Sequence, residues 1–218
     1  MFIRFWGSRG SSPVSGKEYV MFGGDTTCVE ILTDACETII IDAGSGIRKL
    51  GNKLFRERNY DLNIIFTHSH WDHILGFPFF TPIYVKGTKI NLYGCPFAQG
   101  SIKKIISKTM KPPNFPVKFD ELKAELAYHN HKADDGGFNI GSLKVMPISV
   151  SHPNRAIGYK FIEDEKSFVF LTDNELTYKH SGGLDYEDYV KFAMKADLLV
   201  HDSQYRQEEY KRKETWGH

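Results

Sequence analysis

Strand-like and helix-like runs follow one another in mixed order along these 218 residues, and the pattern predicts an α+β fold of two packed sheets with helices outside. Three observations carry that expectation. Short β-branched or apolar runs recur along the chain, bounded by Gly, Pro, Asn and Asp. Apolar residues at helical spacing separate several of them. No internal repeat and no long linker interrupts the order, so residues 1–218 read as a single domain.

Taken in order, Ile3 to Trp6 is a strand, and Gly7-Ser8-Arg9-Gly10-Ser11-Ser12-Pro13 is a loop by composition. Cys28 to Leu32 and Thr38 to Ile41 form a hairpin around Asp34. Asp42-Ala43-Gly44-Ser45-Gly46 ends the second strand, and Ile47, Leu50 and Leu54 mark a helix after it. Leu62 to Thr67 is an apolar run that stops at a histidine cluster. Lys89 to Tyr93 is a strand, Ser101 to Met110 a helix, and 111–116 a proline-rich loop. Three closely spaced strands follow, at Leu143 to Val150, Ala156 to Ile162 and Ser167 to Leu171. Asp185 to Met194 is helical, Asp197 to His201 a strand, and Gln204 to Lys213 helical.

Hydrophobic residues at 41% and charged residues at 25% argue against a disordered chain. The 28 basic residues nearly balance 27 acidic ones, so no global field draws the protein to nucleic acid, although a local basic groove stays open. No apolar run has the length of a membrane helix, and Met1 to Trp6 lacks the marks of a signal peptide. Cys28, Cys36 and Cys95 are odd in number and lack C-x-x-C spacing, which reads as small core residues in a reducing, cytoplasmic compartment.

The chemistry concentrates in His68-Ser69-His70-Trp71-Asp72-His73. On a loop leaving a strand, His68, His70, Asp72 and His73 can converge on a small volume. Imidazole and carboxylate donors suit zinc and similar divalent ions, and the absence of nearby cysteine disfavours a purely structural site. An incidental histidine-rich surface loop is the competing reading. The density of ligand types here, and the acids and histidines that end later strands, argue against it.

These residues resemble the metallo-β-lactamase superfamily, and the resemblance runs the length of the chain through the Asp42 turn, the His68 to His73 cluster, His152 and Asp173 in Leu171-Thr172-Asp173-Asn174. It implies an αββα sandwich with metals at one sheet edge. By the resemblance, His68, His70 and His152 hold one ion, Asp72 and His73 serve another, and Asp173 bridges them. Asp42 supports the site from behind. The implied cofactor is two divalent ions, zinc first, with manganese or iron as alternatives. Read alone, His152 before Pro153 could be a turn residue, and Asp173 could cap a turn. His70 stands where the flavin-associated diiron reductases carry Glu, which points to the hydrolase branch.

Two cations in such a site activate water near neutral pH and neutralise charge on a phosphoryl or carbonyl oxygen, and Asp72 could orient the nucleophile and accept its proton. The opening loop from Phe5 to Pro13 and Gly23-Gly24-Asp25-Thr26-Thr27-Cys28 resemble the branch holding ribonuclease Z and the cyclic-phosphate phosphodiesterases. His201-Asp202-Ser203-Gln204 resembles its His-Glu-Ala-Thr segment, and Thr215 to His218 the start of its Gly-His-Ser-Thr loop. That makes Asp202 and His218 candidate catalytic residues for leaving-group protonation, against bland readings as a strand-end acid and an exposed histidine.

His152 and Asp173 are only 21 positions apart, too few for the transfer-RNA arm of bacterial ribonuclease Z. The expected substrate is therefore a small cyclic or nucleotide phosphodiester, with RNA the less favoured partner and a homodimer expected by analogy. Trp71, Phe77, Phe79 and Phe80 read as core packing, with base stacking as the sharper alternative. The family places one more metal histidine on a final strand beyond the Gly-His segment, so the sequence is expected to stop short of its natural end. Thioester, lactone or lactam hydrolysis and a non-catalytic sensor are the competing functions.

Overall fold

Backbone pairing in this protein brings strand ends, and the polar residues just past them, to common sheet edges. The computed structural model describes residues 1–94, 101–131 and 136–218. Its contacts gather into two compact units, one running to Asn130 and the other from His131 to His218. Each unit is built on its own sheet.

The first unit opens with β1 (Phe2–Gly7), β2 (Cys28–Leu32) and β3 (Thr38–Ile41), an antiparallel set. Crossovers then lead through α1 (Ile47–Glu57) to β4 (Asp61–Ile65), through α2 (Trp71–Ile74) and tight turns to β5 (Lys89–Gly94), and through α3 (Ile102–Thr109) to β6 (Glu125–Asn130). Strands β3 to β6 are parallel, completing a six-stranded sheet in sequence order. Ile39, Ile40 and Ile41 are fully buried, as a near-continuous apolar strand in a sheet covered on both faces should be. Helix α1 lays Ile47, Leu50 and Leu54 against this sheet, and all three are fully buried. Each such side chain contributes about 1.5–3 kcal/mol of burial.

Parallel pairing of Ile41 with Ile65 puts the carboxyl ends of β3 and β4 side by side. Asp42 and Thr67 consequently leave the sheet as neighbours, at the edge where open parallel sheets bind ligands. Backbone hydrogen bonds then sew the two following turns together, Ala43 N–H to the His73 carbonyl at 2.7 Å and Gly76 N–H to the Ala43 carbonyl at 2.8 Å. A Cβ at Gly76 would lie 2.1 Å from the Gly44 carbonyl oxygen, so only glycine admits that approach.

The second unit contains β7 (Phe138–Ile140), β8 (Leu143–Val150), β9 (Ala156–Glu163), β10 (Lys166–Leu171), α4 (Tyr186–Ala193), β11 (Leu198–His201) and α5 (Gln207–Tyr210). Its five-stranded sheet has the order β11-β10-β9-β8-β7, antiparallel except for β10 with β11. Strands β8, β10 and β11 thus run the same way. The residues just past them, His152, Asp173 and Asp202, emerge at one sheet edge. Tyr189 of α4 packs on Val150, Ala156, Val169 and Leu171 beneath that edge.

Three expectations need correction. Cys36 is exposed rather than a core residue, because it sits in the β2–β3 turn with φ of 65°. Cys28 is fully buried, and burial together with the nearby Asp42 and Glu30 charges pushes its thiol well above the ordinary range. Cys95 lies outside the described residues. The helix expected over 204–213 shrinks to Gln207–Tyr210, since that stretch buries no side chain that could hold a longer one. Strands β6 and β7 were not expected at all. No helix among the described residues is long and apolar enough to cross a membrane.

Candidate metal centre

Each unit gathers its own group of candidate donors. In the first unit the organising group is Asp42, fully buried and held at φ of 60°. Its carboxylate accepts from Thr67 N–H at 2.8 Å, from Thr67 Oγ1 at 2.7 Å and from His73 Nδ1 at 2.8 Å. The bond to Asp42 fixes the tautomer of His73, with the proton on Nδ1 and the Nε2 lone pair turned away from it. Thr67 has a single hydroxyl proton, and Asp42 takes it. The Thr67 oxygen therefore accepts from His68 Nδ1 at 3.1 Å, which gives His68 the same tautomer.

The rings of His68 and His70 lie 4.5 Å apart, and those of His68 and His73 4.1 Å apart. Asp72 Oδ2 is 3.5 Å from His73 Nε2 and accepts the Ser11 N–H at 2.8 Å. Two histidines with locked tautomers, a third beside them and a buried carboxylate are thus gathered at the end of β4.

In the second unit His152 is almost wholly buried, and its Nδ1 donates to the Gly217 carbonyl at 3.0 Å. Its Nε2 stands 3.8 Å from Asp173 Oδ2. Gly217 adopts φ of +92°, and a Cβ there would meet His152 Nδ1 at 2.1 Å, so this contact demands glycine twice over. Asp202 Oδ2 accepts from His218 Nδ1 at 2.7 Å. Ligand atoms of Asp173, Asp202 and His218 lie within 4.8 Å of one another. The structure brings the suspected His218–Asp202 pair together and sets it beside Asp173.

Glu175, which sequence reasoning passed over, holds this half in place. Its buried carboxylate accepts from Tyr210 Oη at 2.5 Å, His180 Nε2 at 2.8 Å, Thr215 N–H at 2.8 Å and Gly217 N–H at 2.8 Å. Burial raises its pKa, but hydrogen bonds from Tyr210, His180, Thr215 and Gly217 outweigh that and leave it below the usual glutamate value. Ser11 and Gly217 were missed as well. Nothing local in the sequence joins Ser11 to Asp72, or Gly217 to His152. Outside these donors, His129 stacks on Tyr93 and donates to Asn91 at 3.2 Å, and His131 stacks on Phe138.

The donors fit a divalent ion of the zinc type. They are imidazole nitrogens and carboxylate oxygens, with no thiolate. His68, His73 and His152 each spend Nδ1 on an orienting oxygen and thereby present Nε2, the usual arrangement behind metal-ligating histidines. Fold and donors together define the class: a metallo-β-lactamase-fold protein carrying imidazole and carboxylate donors suited to divalent metal. Residues 37–218 match the beta-lactamase superfamily domain, and the chain belongs to that family.

Among curated relatives, ribonuclease Z of Thermococcus kodakarensis is 24% identical over 146 residues, covering 65% of this chain and 43% of its own length. Ribonuclease Z of Haloarcula marismortui is 22% identical over 173 residues, covering 78% and 50%. The chain therefore spans about half the length of the curated relatives it matches. Among solved structures, human tRNase Z, short form, aligns with a TM-score of 0.68 at 18% identity, over 99% of this chain and 83% of that one. The metallo-beta-lactamase fold protein YhfI from Bacillus subtilis aligns at 0.61 and 16% identity, over 90% and 68%. At these identities the structural likeness establishes the fold.

Proposed function

We propose that this chain is a metal-dependent phosphodiesterase. In this reading His68, His70 and His152 would hold one divalent ion, Asp72 and His73 would serve a second, and Asp173 would contribute to both, with zinc the expected metal and manganese or iron the alternatives. Bound ions would supply Lewis-acid neutralisation of phosphoryl oxygens and an activated water near neutral pH. Asp72, steadied by the Ser11 N–H, orients the attacking water and accepts its proton at a carboxylate oxygen. His218, oriented by Asp202, delivers a proton to the departing alkoxide.

The observation that carries the reading is the 2.7 Å contact between His218 and Asp202 beside Asp173. An alkoxide is a poor leaving group, and a histidine backed by a carboxylate is the equipment that protonates it. Similarity to proteins named ribonuclease Z supports phosphodiester chemistry over acyl chemistry. The β9–β10 hairpin fills the chain between His152 and Asp173, leaving no arm there, which favours a small cyclic or nucleotide phosphodiester. Cys28, a buried thiol, suits a reducing cytoplasm, and a homodimer is the expected assembly by analogy.

The test sets bis-p-nitrophenyl phosphate beside a thioester and a chromogenic lactam, with the metal-loaded chain. Diester turnover alone is expected. Turnover confined to the acyl substrates would refute the reading, and light scattering at the mass of one chain would remove the dimer.

A further inference from the structure

Charge along this chain is segregated in a way its net value hides. Between Asp72 and Asp120 there are seven lysines, no arginine and no acid. Taking those seven from 28 leaves 21 basic residues against 27 acidic ones elsewhere. The seven are Lys86, Lys89, Lys103, Lys104, Lys108, Lys111 and Lys118. All are exposed, and none makes an ion pair with a carboxylate among the described residues. Unneutralised lysines cost self-repulsion, which a polyanion would relieve.

Helix α3 arranges the densest part of this field. Ile102 and Ile106 bury one face, and Lys104 and Lys108, with Lys111 in the following turn, line another at spacings of four and three. The chain then turns on Lys111, whose carbonyl accepts from Asn114 N–H at 2.9 Å and Phe115 N–H at 3.3 Å. Phe115 meets Phe79 edge-on, with ring centroids 5.5 Å apart. Phe79 keeps 54% of its surface exposed, and Trp71, inside the histidine cluster, keeps 69%. A large aromatic left in water against the turn that carries Lys111 is poorly explained as core packing.

We propose that the α3 lysine face and the exposed ring of Phe79 form a docking surface for single-stranded nucleic acid. Lys104, Lys108 and Lys111 meet backbone phosphates, and the ring stacks on a base, which presents a flat face whatever the sequence. A duplex keeps its bases stacked on one another and cannot offer one to Phe79. The proposal deepens the phosphodiesterase reading, on which it rests for the fate of the strand, and it sets a linkage within a bound strand in place of the small cyclic or nucleotide diester.

The experiment is fluorescence anisotropy of a labelled twelve-residue oligouridylate with the full chain, over a salt series. The triple variant Lys104→Gln/Lys108→Gln/Lys111→Gln is compared at matched thermal midpoint. Losing three phosphate contacts should weaken binding about tenfold or more and flatten the log–log salt slope by about two. Phe79→Ala should weaken it about fivefold or more with the slope unchanged. No measurable binding by the parent chain, or equal binding by the triple variant, would overturn the proposal. So would lysine-dependent binding of phosphatidylserine vesicles or of the duplex as tight as that of the single strand. Hydrolysis of bis-p-nitrophenyl phosphate by the parent chain is measured alongside. Its absence, with oligonucleotide binding intact, would sink the phosphodiesterase reading and leave the docking surface standing.

Discussion

The two halves of the donor set are built on different principles. In the first unit Asp42, Thr67, His68 and His73 lie within 31 residues, and adjacent parallel strands deliver them to one edge. In the second, His152 depends on Gly217, 65 positions away, and Gly217 depends on Glu175, 42 positions away. The first half follows from strand pairing. The second follows from one buried carboxylate that gathers loose backbone. Strand pairing makes the first group rigid, whereas a single substitution can release the second.

The largest effect expected is at the chemistry itself. Asp72→Asn and His68→Ala should each lower diester turnover by about a thousandfold or more, with unchanged circular dichroism. Turnover within tenfold of the parent in both would end the catalytic account. Next comes the rigid half. Asp42→Ala strands Thr67 and His73, and it should cost about 3–5 kcal/mol in denaturant unfolding and weaken metal affinity about 10–100-fold.

Glu175→Ala probes the gathered half. With three of its four donors held on the 210–217 segment, it should cost about 2–4 kcal/mol and loosen that segment, seen as faster amide exchange at Thr215 and Gly217. Exchange at Thr67 should stay slow. If Thr67 and Gly217 accelerate equally, the two halves do not differ as described.

The smallest effect lies at the surface tie of the Asp42 turn. Asp25 accepts from Ser45 Oγ at 2.9 Å and pairs with Lys49 at 2.7 Å. Burial raises its pKa, but Lys49 and Ser45 outweigh that and hold it below the ordinary 3.8. A carboxylate with a lowered folded pKa stabilises above its unfolded value and loses that contribution as pH falls through the folded one. Asp25→Asn should therefore cost about 1 kcal/mol or less at neutral pH, a cost that fades as the pH falls below the ordinary 3.8 and through the lowered folded value, read from paired urea titrations.

The contrast between the halves also explains what could be read from sequence. Ile39 to Ile41 and Leu62 to Ile65 announce buried strands by composition, so Asp42 and the His68 to His73 cluster could be placed at strand ends. Asp202 and His218 could be suspected only through family likeness, since they stand 16 positions apart across turns and a short helix. Glu175 was invisible because its donors include two backbone N–H groups, which no side-chain pattern reports. Strand β6 escaped because Glu125 to Asn130 is an edge strand with no fully buried side chain and two polar residues at its end.

Metal content by elemental analysis of the purified chain, His68→Ala and His152→Ala is the most direct test. About two divalent ions are expected in the parent, and the loss of about one in each variant, because the two histidines are assigned to the same ion from opposite halves. A parent chain without metal, or a His152→Ala variant that keeps its full complement, would contradict that assignment.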